Sequence, residues 1–432
     1  MDQKQLFQQI CFLKENNRYF SSYFSNIGIS HMSIDEVDLV YKKSPIMTKP
    51  NILENLRDYL PKTFFPQMNN NELNLLFSDV SQLSGNHDRK MNENGVDWIL
   101  ETTTGTTGRP FTILKTPNEK LYESKYLFDR RKLLYPLVNS DNGFLLLEPI
   151  DPYLKSLNYR GTDKSQMPLL FEHMLKAKPK WLLCTTLLLR KLYEYAYENQ
   201  LFKDIQNLHL SFIETTSQKL SDEESNEIST NFGAMIINQY GCREVWNIAY
   251  DCSHGHLHVN NKYLQVDIVD EKGAIIEENG KIGEIIITSC LHKAFPIYKY
   301  FLGDLAQIRR EPCPCGLNTP RIILETGRKK HKLVNTKYYG TEIFRKVLRF
   351  IYFKHSHIHI EKIKIIQSGQ YEISVYCLLE PALRNEFEKI FVESTSYAVE
   401  NLRDFNIKFI YNFLFSEDNN ALKHEIFENL LD

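Results

Sequence analysis

The chain has 432 residues, 42% of them hydrophobic and 25% charged, with a formal net charge of −2 and a pI near 6.7. That length supports two or three domains around at least one large core. The balanced charge excludes the basic footprint of a nucleic-acid-binding protein, and no apolar run reaches the ~18–20 residues of a membrane span.

The polar stretch Met1–Gln5 lacks the apolar core of a signal peptide, so a cytoplasmic location is expected. Amphipathic helical patterns occupy residues 1–60 and end at Pro61 and Phe64-Phe65-Pro66. Val96–Leu100 is a short apolar run that passes through Glu101 into a threonine and glycine cluster, Thr102–Gly108. Phe111–Leu114 resumes a strand pattern, which makes strand, polar loop, strand.

Helical spacing follows over 118–137, then strand candidates at Gly143–Leu147, Trp181–Cys184, Leu208–Ile213 and Met235–Tyr240. Helices are expected between them near Leu187–Glu198 and Asp222–Phe232. This alternation predicts α/β layering with mostly parallel strands. After Asn247 the rhythm changes to short strands and turns, Tyr263–Val269 and Glu284–Thr288 among them. Beyond Gly327 a helix near Glu342–Phe353, strands near Ile360–Gln367 and Tyr371–Leu378, a helix near Pro381–Tyr397 and a strand at Asn406–Phe415 suit a small α+β domain.

Thr103-Thr104-Gly105-Thr106-Thr107-Gly108 joins glycines, which let backbone N–H groups converge, with hydroxyl donors. Such a loop can cradle phosphates, and it can equally be a solvated hairpin turn. Arg109 after the second glycine excludes the Walker loop.

This stretch resembles the phosphate loop of the adenylate-forming superfamily of acyl-CoA ligases, luciferases and adenylation domains. Asn238-Gln239-Tyr240-Gly241-Cys242-Arg243-Glu244 resembles the superfamily's Tyr-Gly-x-Thr-Glu motif. The resemblance implies that Tyr240 stacks on adenine beside Gly241 and that Glu244 holds Mg²⁺. Arg243 stands where a hydroxyl residue is usual. Tyr300–Asp304 resembles Tyr-Arg-x-Gly-Asp, implying that Asp304 takes the ribose hydroxyls; Phe301 replaces the arginine, leaving that role unfilled or passed to Lys299. Gly327-Arg328 resembles the boundary motif, with Arg328 at the nucleotide and Lys330 as hinge. Lys423, preceded by Leu422 instead of glycine, is the candidate for the catalytic lysine of the mobile domain.

Arg310–Gly316, with Pro320-Arg321-Ile322 and the lead-in segment Ser44–Lys49, resembles the phenylacetate–CoA ligase branch. Cys313 and Cys315 can supply two thiolates, and Cys252 with His258 lie six apart upstream. Together they predict a closed Cys₃His site for structural zinc, set against free buried cysteines beside surface histidines, with His254 and His256 also nearby.

The expected fold is thus α/β, with a large amino-terminal domain of layered sheets and helices (1–327, its β-rich subdomain about 247–327) and a small mobile α+β carboxy-terminal domain (328–432). The implied reaction uses ATP to turn a carboxylic acid into acyl-AMP and pyrophosphate, then acylates the thiol of CoA. A carrier-protein thiol or an amine is the alternative acceptor, and a catalytically silent nucleotide-binding member the alternative of another class. Phe, Tyr and Trp, 12% of residues, can line an aromatic acid's pocket or fill the core. A homodimer is implied by the family alone.

Overall fold

The computed structural model describes residues 1–26, 32–61, 63–84, 89–93, 95–103, 111–146, 167–217, 219–328, 333–334, 340–355, 357–358, 360, 362–398, 405–411 and 427–429. These form two compact units, one of Met1–Leu302 with Gln307–Ile323, the other of Gly303–Ala306 with Leu324–Asp432.

The first unit starts with helices Gln3–Asn16 and Arg18–Asn26 and continues into an antiparallel three-stranded sheet. Its strands are β1 (Arg89–Glu93), β2 (Val96–Thr103) and β3 (Phe111–Lys115), in the order β1-β2-β3. The β2–β3 register runs from Ile99 opposite Lys115 to Thr103 opposite Phe111, so the hairpin closes across the Thr-Gly segment. Residues 104–110 of that segment lie outside the described residues.

A larger sheet is built on β4 (Gly143–Leu146), β5 (Trp181–Thr185), β6 (Phe212–Thr216) and β7 (Met235–Tyr240), all parallel. Helices supply the crossovers that parallel pairing requires. Asp222–Phe232 shows how such a helix is bounded. Ser221 and Glu224 close a capping box at its start, and Gly233 ends it with φ of +65°. Beyond β7 the sheet continues through β8 (Ala249–Asp251), β9 (Leu257–Val259), β10 (Leu264–Val269), β11 (Ile282–Ser289), β12 (Tyr300–Arg309) and β13 (Arg321–Arg328), with β7–β8, β8–β9, β9–β13 and β10–β11 antiparallel. The full order is β10-β11-β12-β13-β9-β8-β7-β6-β5-β4.

Trp181, Phe212, Ile237 and Tyr250 form the core against the helix Pro117–Leu134, which supplies Leu127. Large side chains fully buried in this way contribute ~1.5–3 kcal/mol each. Arg131 of the same helix reaches into this core. Its guanidinium makes a two-pronged pair with Glu214 (2.6 and 2.9 Å), and Tyr250 donates to the same carboxylate at 2.7 Å. Burial of these charges is tolerated because both carboxylate oxygens and two guanidinium nitrogens are paired.

In the second unit, β14 (Lys362–Gly369), β15 (Glu372–Leu378), β16 (Asn406–Ile410) and β17 (Phe427–Asn429) pair as β16-β15-β14-β17. Helices Gly340–Lys354 and Arg384–Ala398 supply Phe344, Ile351, Phe387 and Phe391 to its core. The fold is therefore α/β with an α+β carboxy-terminal unit. β12 and β13, at ten and eight residues, are longer than the short strands expected after Asn247. The strand expected from Leu208 begins only at Phe212, because His209 sits at φ of +52° in a turn. No described helix is long and apolar enough to cross a membrane.

Candidate active site and metal-binding cluster

The turn between β7 and β8 carries the Tyr-Gly motif. It is tight: the Ile248 N–H donates to the Tyr240 carbonyl (2.9 Å), and Asn247 N–H donates to Val245 (2.7 Å). A Cβ at Gly241 would lie 1.7 Å from the Trp246 carbonyl, so no other residue fits there. Trp246 itself is held at φ of +54°, a costly conformation for a bulky side chain.

That turn places Glu244 in a buried position facing two groups. Tyr300, the first residue of β12, donates its hydroxyl to Glu244 Oε1 at 2.7 Å, and Lys49 Nζ lies 3.8 Å from the same oxygen. Burial opposes ionisation, yet the Lys49 ammonium and the Tyr300 hydroxyl outweigh it and hold the carboxyl below its ordinary range. Lys49 also lies 5.5 Å from the centre of the Phe111 ring, and Phe111 stacks on Tyr300. Since Phe111 resumes the chain after the Thr-Gly segment, one small region gathers Glu244, Tyr300, Lys49 and one end of the β2–β3 hairpin. An ionised carboxylate here offers hard oxygen ligands of the kind Mg²⁺ selects. Asn238, near the carboxyl end of β7, has a buried side-chain Nδ2 with no hydrogen-bond partner among the described residues, while its backbone N–H donates to Asp251 Oδ2 at 2.8 Å. An unused donor at the carboxyl end of a parallel strand lies where ligands bind in open α/β sheets.

Of the other residues singled out in the sequence, Thr103 ends β2, Asp304 lies on β12 four residues beyond Tyr300, and Arg328 ends β13. Thr104, Gly105, Thr106, Thr107, Gly108, Lys330 and Lys423 lie outside the described residues. Lys299 does not take the place of the missing arginine. Its buried ammonium donates to the carbonyls of Tyr41 (3.1 Å), Lys42 (3.2 Å) and Ser44 (2.6 Å). It thereby caps the end of the helix Val37–Lys43 and ties the lead-in segment to β12. Met47 reinforces that tie by accepting from the Phe301 N–H and donating to the Lys299 carbonyl. Tyr300, Lys49 and Asn238 were not among the site residues that sequence reasoning named. Their motif positions were visible, but their partners lie far away in the chain.

The far end of β8 leads into a second cluster. Cys252 Sγ, His258, Cys313 Sγ and Cys315 Sγ offer ligand atoms that all lie within 4.8 Å of one another. Cys252 to Cys313 is 4.0 Å, and Cys315 to His258 Nε2 is 3.3 Å. A tetrahedron with Zn–S near ~2.3 Å has edges of about 3.8 Å, so the spacing fits zinc. Two glycine turns shape it, with Gly255 and Gly316 at φ of +70° and +82°. The His254 and Leu317 N–H groups donate to Cys252 and Cys315 sulfur, respectively. His258 Nδ1 rests 2.9 Å from Thr319 Oγ1, which leaves Nε2 for a metal. His256 Nδ1 lies 3.1 Å from Cys313 as well, so that thiol has two imidazole neighbours. Burial opposes Cys313 ionisation, but the Cys315 N–H and the two imidazoles bring its pKa down to about 5. Burial pushes Cys252 up to about 11.

No protein-family model matches the chain. Phenylacetate-coenzyme A ligase of Thermus thermophilus is 22% identical over 144 residues, and the chain spans about a third (32%) of that relative's length. Among solved structures, 2-hydroxyisobutyryl-CoA ligase in the postadenylation state with 2-HIB-AMP superimposes with a TM-score of 0.67 at 13% identity. That match covers 99% of this chain and 88% of the other. An ATP-bound RpMatB–BxBclM chimera gives a TM-score of 0.51 at 14% identity, over 76% of this chain and 66% of its own. The chain has the fold of the adenylate-forming acyl-CoA ligases.

Proposed function

We propose that this protein is an AMP-forming acid–thiol ligase. It activates a carboxylic acid with ATP, releasing pyrophosphate, and passes the acyl group from acyl-AMP to the thiol of CoA. The observation that carries this reading is Glu244, a buried ionised carboxylate flanked by Lys49, Tyr300 and the phosphate-loop hairpin, in a fold shared with CoA ligases.

Adenylation needs little covalent help from a protein; it needs positioning and charge stabilisation. Tyr240 would stack on adenine, Gly241 would allow its close approach, and Asn238 would offer its unused amide. Asp304 would accept the ribose hydroxyls, and Arg328 would meet the nucleotide. The Thr103–Gly108 segment would hold the leaving phosphates. Glu244 would hold Mg²⁺, which neutralises phosphate charge when bound. Lys423 would bridge the reacting oxygens and then be withdrawn by rotation about a hinge at Lys330, opening a path for the thiol. Cys252, His258, Cys313 and Cys315 would hold zinc with no open coordination position, fastening the turns around β8, β9 and β13 without chemistry.

The test is magnesium-dependent ATP–pyrophosphate exchange across aromatic, aliphatic and amino acids, followed by mass spectrometry of products formed with CoA. Exchange with one class of acid and an acyl-CoA product is expected. Exchange without acyl-CoA would move the acceptor to a carrier protein or amine, and no exchange with any acid would exclude the reading.

A further inference from the structure

A buried charge network separate from the proposed ligands joins the phosphate-loop hairpin to the turn that carries Glu244. Glu101 lies on β2 two residues before Thr103, and Lys115 ends β3, so both strands contribute. Both side chains are buried, with Lys115 Nζ 2.9 Å from Glu101 and 2.7 Å from Glu123. Glu123 is held in turn by His292 Nε2 at 2.8 Å, and His292 Nδ1 lies 2.7 Å from Ser289 Oγ.

Two grips extend from this network onto the turn, one on each side of Glu244. Lys115 Nζ donates to the Arg243 carbonyl at 3.0 Å. Trp246 donates its indole N–H to Glu101 Oε2 at 3.2 Å, and its ring lies under the Lys120 ammonium, 3.8 Å away. Lys120 also pairs with Glu101. A charge-assisted hydrogen bond and a partly desolvated cation–π contact together outweigh the cost of a bulky residue at positive φ. The motif residues alone do not explain why Trp246 is held in that conformation; the grip on its side chain does.

We infer that Trp246, clamped between Glu101 and Lys120, and Lys115 on the Arg243 carbonyl are positioning residues that lock the Glu244 turn to the phosphate-loop hairpin. The Glu244 turn and the two strands that flank the Thr-Gly segment are thereby set as one body before nucleotide arrives. This inference rests on the proposed adenylation.

Trp246→Phe keeps an apolar ring over Lys120 and removes only the N–H grip; Lys120→Met removes the cation from a partly exposed position. Steady-state exchange kinetics should show the KM for MgATP rising about tenfold in each variant, with half-saturation in free Mg²⁺ rising alongside. The KM for the acid should stay within about twofold, and the melting temperature within about 2 °C. The double variant should be affected more than either single one, since one change removes the indole donor and the other the cation over the ring. An unchanged KM for MgATP would overturn the inference, as would a fall in melting temperature with kcat and both KM values moving together. Should the wild type neither exchange pyrophosphate nor bind MgATP, the functional reading fails first and takes the inference with it. Failure of the inference alone leaves the wild type active and the variants indistinguishable from it.

Discussion

The two ends of β8 solve opposite problems. Before the strand, the Tyr-Gly turn keeps a carboxylate ionised inside the protein, using Lys49 and Tyr300 as partners, and leaves its oxygens able to meet a hard cation. After the strand, three thiols and an imidazole converge with sulfur-directed N–H groups and a histidine whose Nδ1 rests against Thr319. Hard oxygen ligands in few numbers leave a metal exchangeable and open to substrate; soft ligands in a full tetrahedron close it. A few residues of separation along the chain thus divide the carboxylate proposed for chemistry from the cluster proposed to hold strands together.

The sharpest way to break this contrast is to remove one defining side chain from each end. Glu244→Gln keeps size and hydrogen bonding but loses the charge; it should lower pyrophosphate exchange about 10²–10³-fold with the melting temperature nearly unchanged. Cys315→Ser should do the reverse. Metal analysis should find about one zinc per chain in the wild type and none in the variant. The stability loss should be about 3 kcal/mol or more, with exchange in the surviving folded fraction largely retained. If Cys315→Ser abolished exchange in protein that remained folded, the two ends would not be separable.

Gly241→Ala tests the backbone of the first turn alone. Its Cβ would meet the Trp246 carbonyl at 1.7 Å, so the turn must open, and a loss of about 2–3 kcal/mol is expected by denaturant titration. Lys299→Met removes the donor from three backbone carbonyls and should cost about 2 kcal/mol while loosening the segment that carries Lys49.

The smallest effect concerns Asp251, which joins the two ends. Burial raises its pKa from 3.8 to about 6, despite the Asn238 N–H it accepts. The folded state therefore binds the proton more tightly than the unfolded state. Its contribution is fully present below about 4 and fades as pH rises through about 6. Asp251→Asn keeps an acceptor and cannot titrate. Melting temperatures of the two proteins should coincide near pH 4, and the variant should gain about 2 °C by pH 7.

The parallel strands β4 and β5 were legible as apolar runs, whereas β6 (Phe-Ile-Glu-Thr-Thr) was placed too early because its polar half conceals it; the helix Asp222–Phe232 carries its own caps. The four zinc-ligand candidates were legible from residue type and spacing, although only the structure brings Cys252 and His258 to Cys313 and Cys315. Illegible were the contacts whose partners lie far apart in sequence. Nothing local ties Lys115 to the Arg243 carbonyl across 128 residues, or Lys299 to the carbonyls near Tyr41. A charged residue inside an apolar strand, as Glu101 is, signals a buried partner without naming it. Of the two alternatives for the missing arginine, a role unfilled or passed to Lys299, the three distant acceptors of Lys299 favour the first, and nothing near Lys299 in sequence announces them.

Calorimetric titration of MgATP into the wild type and Glu244→Gln, at matched zinc content, tests the central claim most directly. Saturable binding to the wild type in the range of about 1 μM to 1 mM, weakened at least about tenfold in the variant, is the predicted result. A wild type that takes up no MgATP, or a variant that binds it as tightly, would contradict the assignment of this turn to nucleotide and metal.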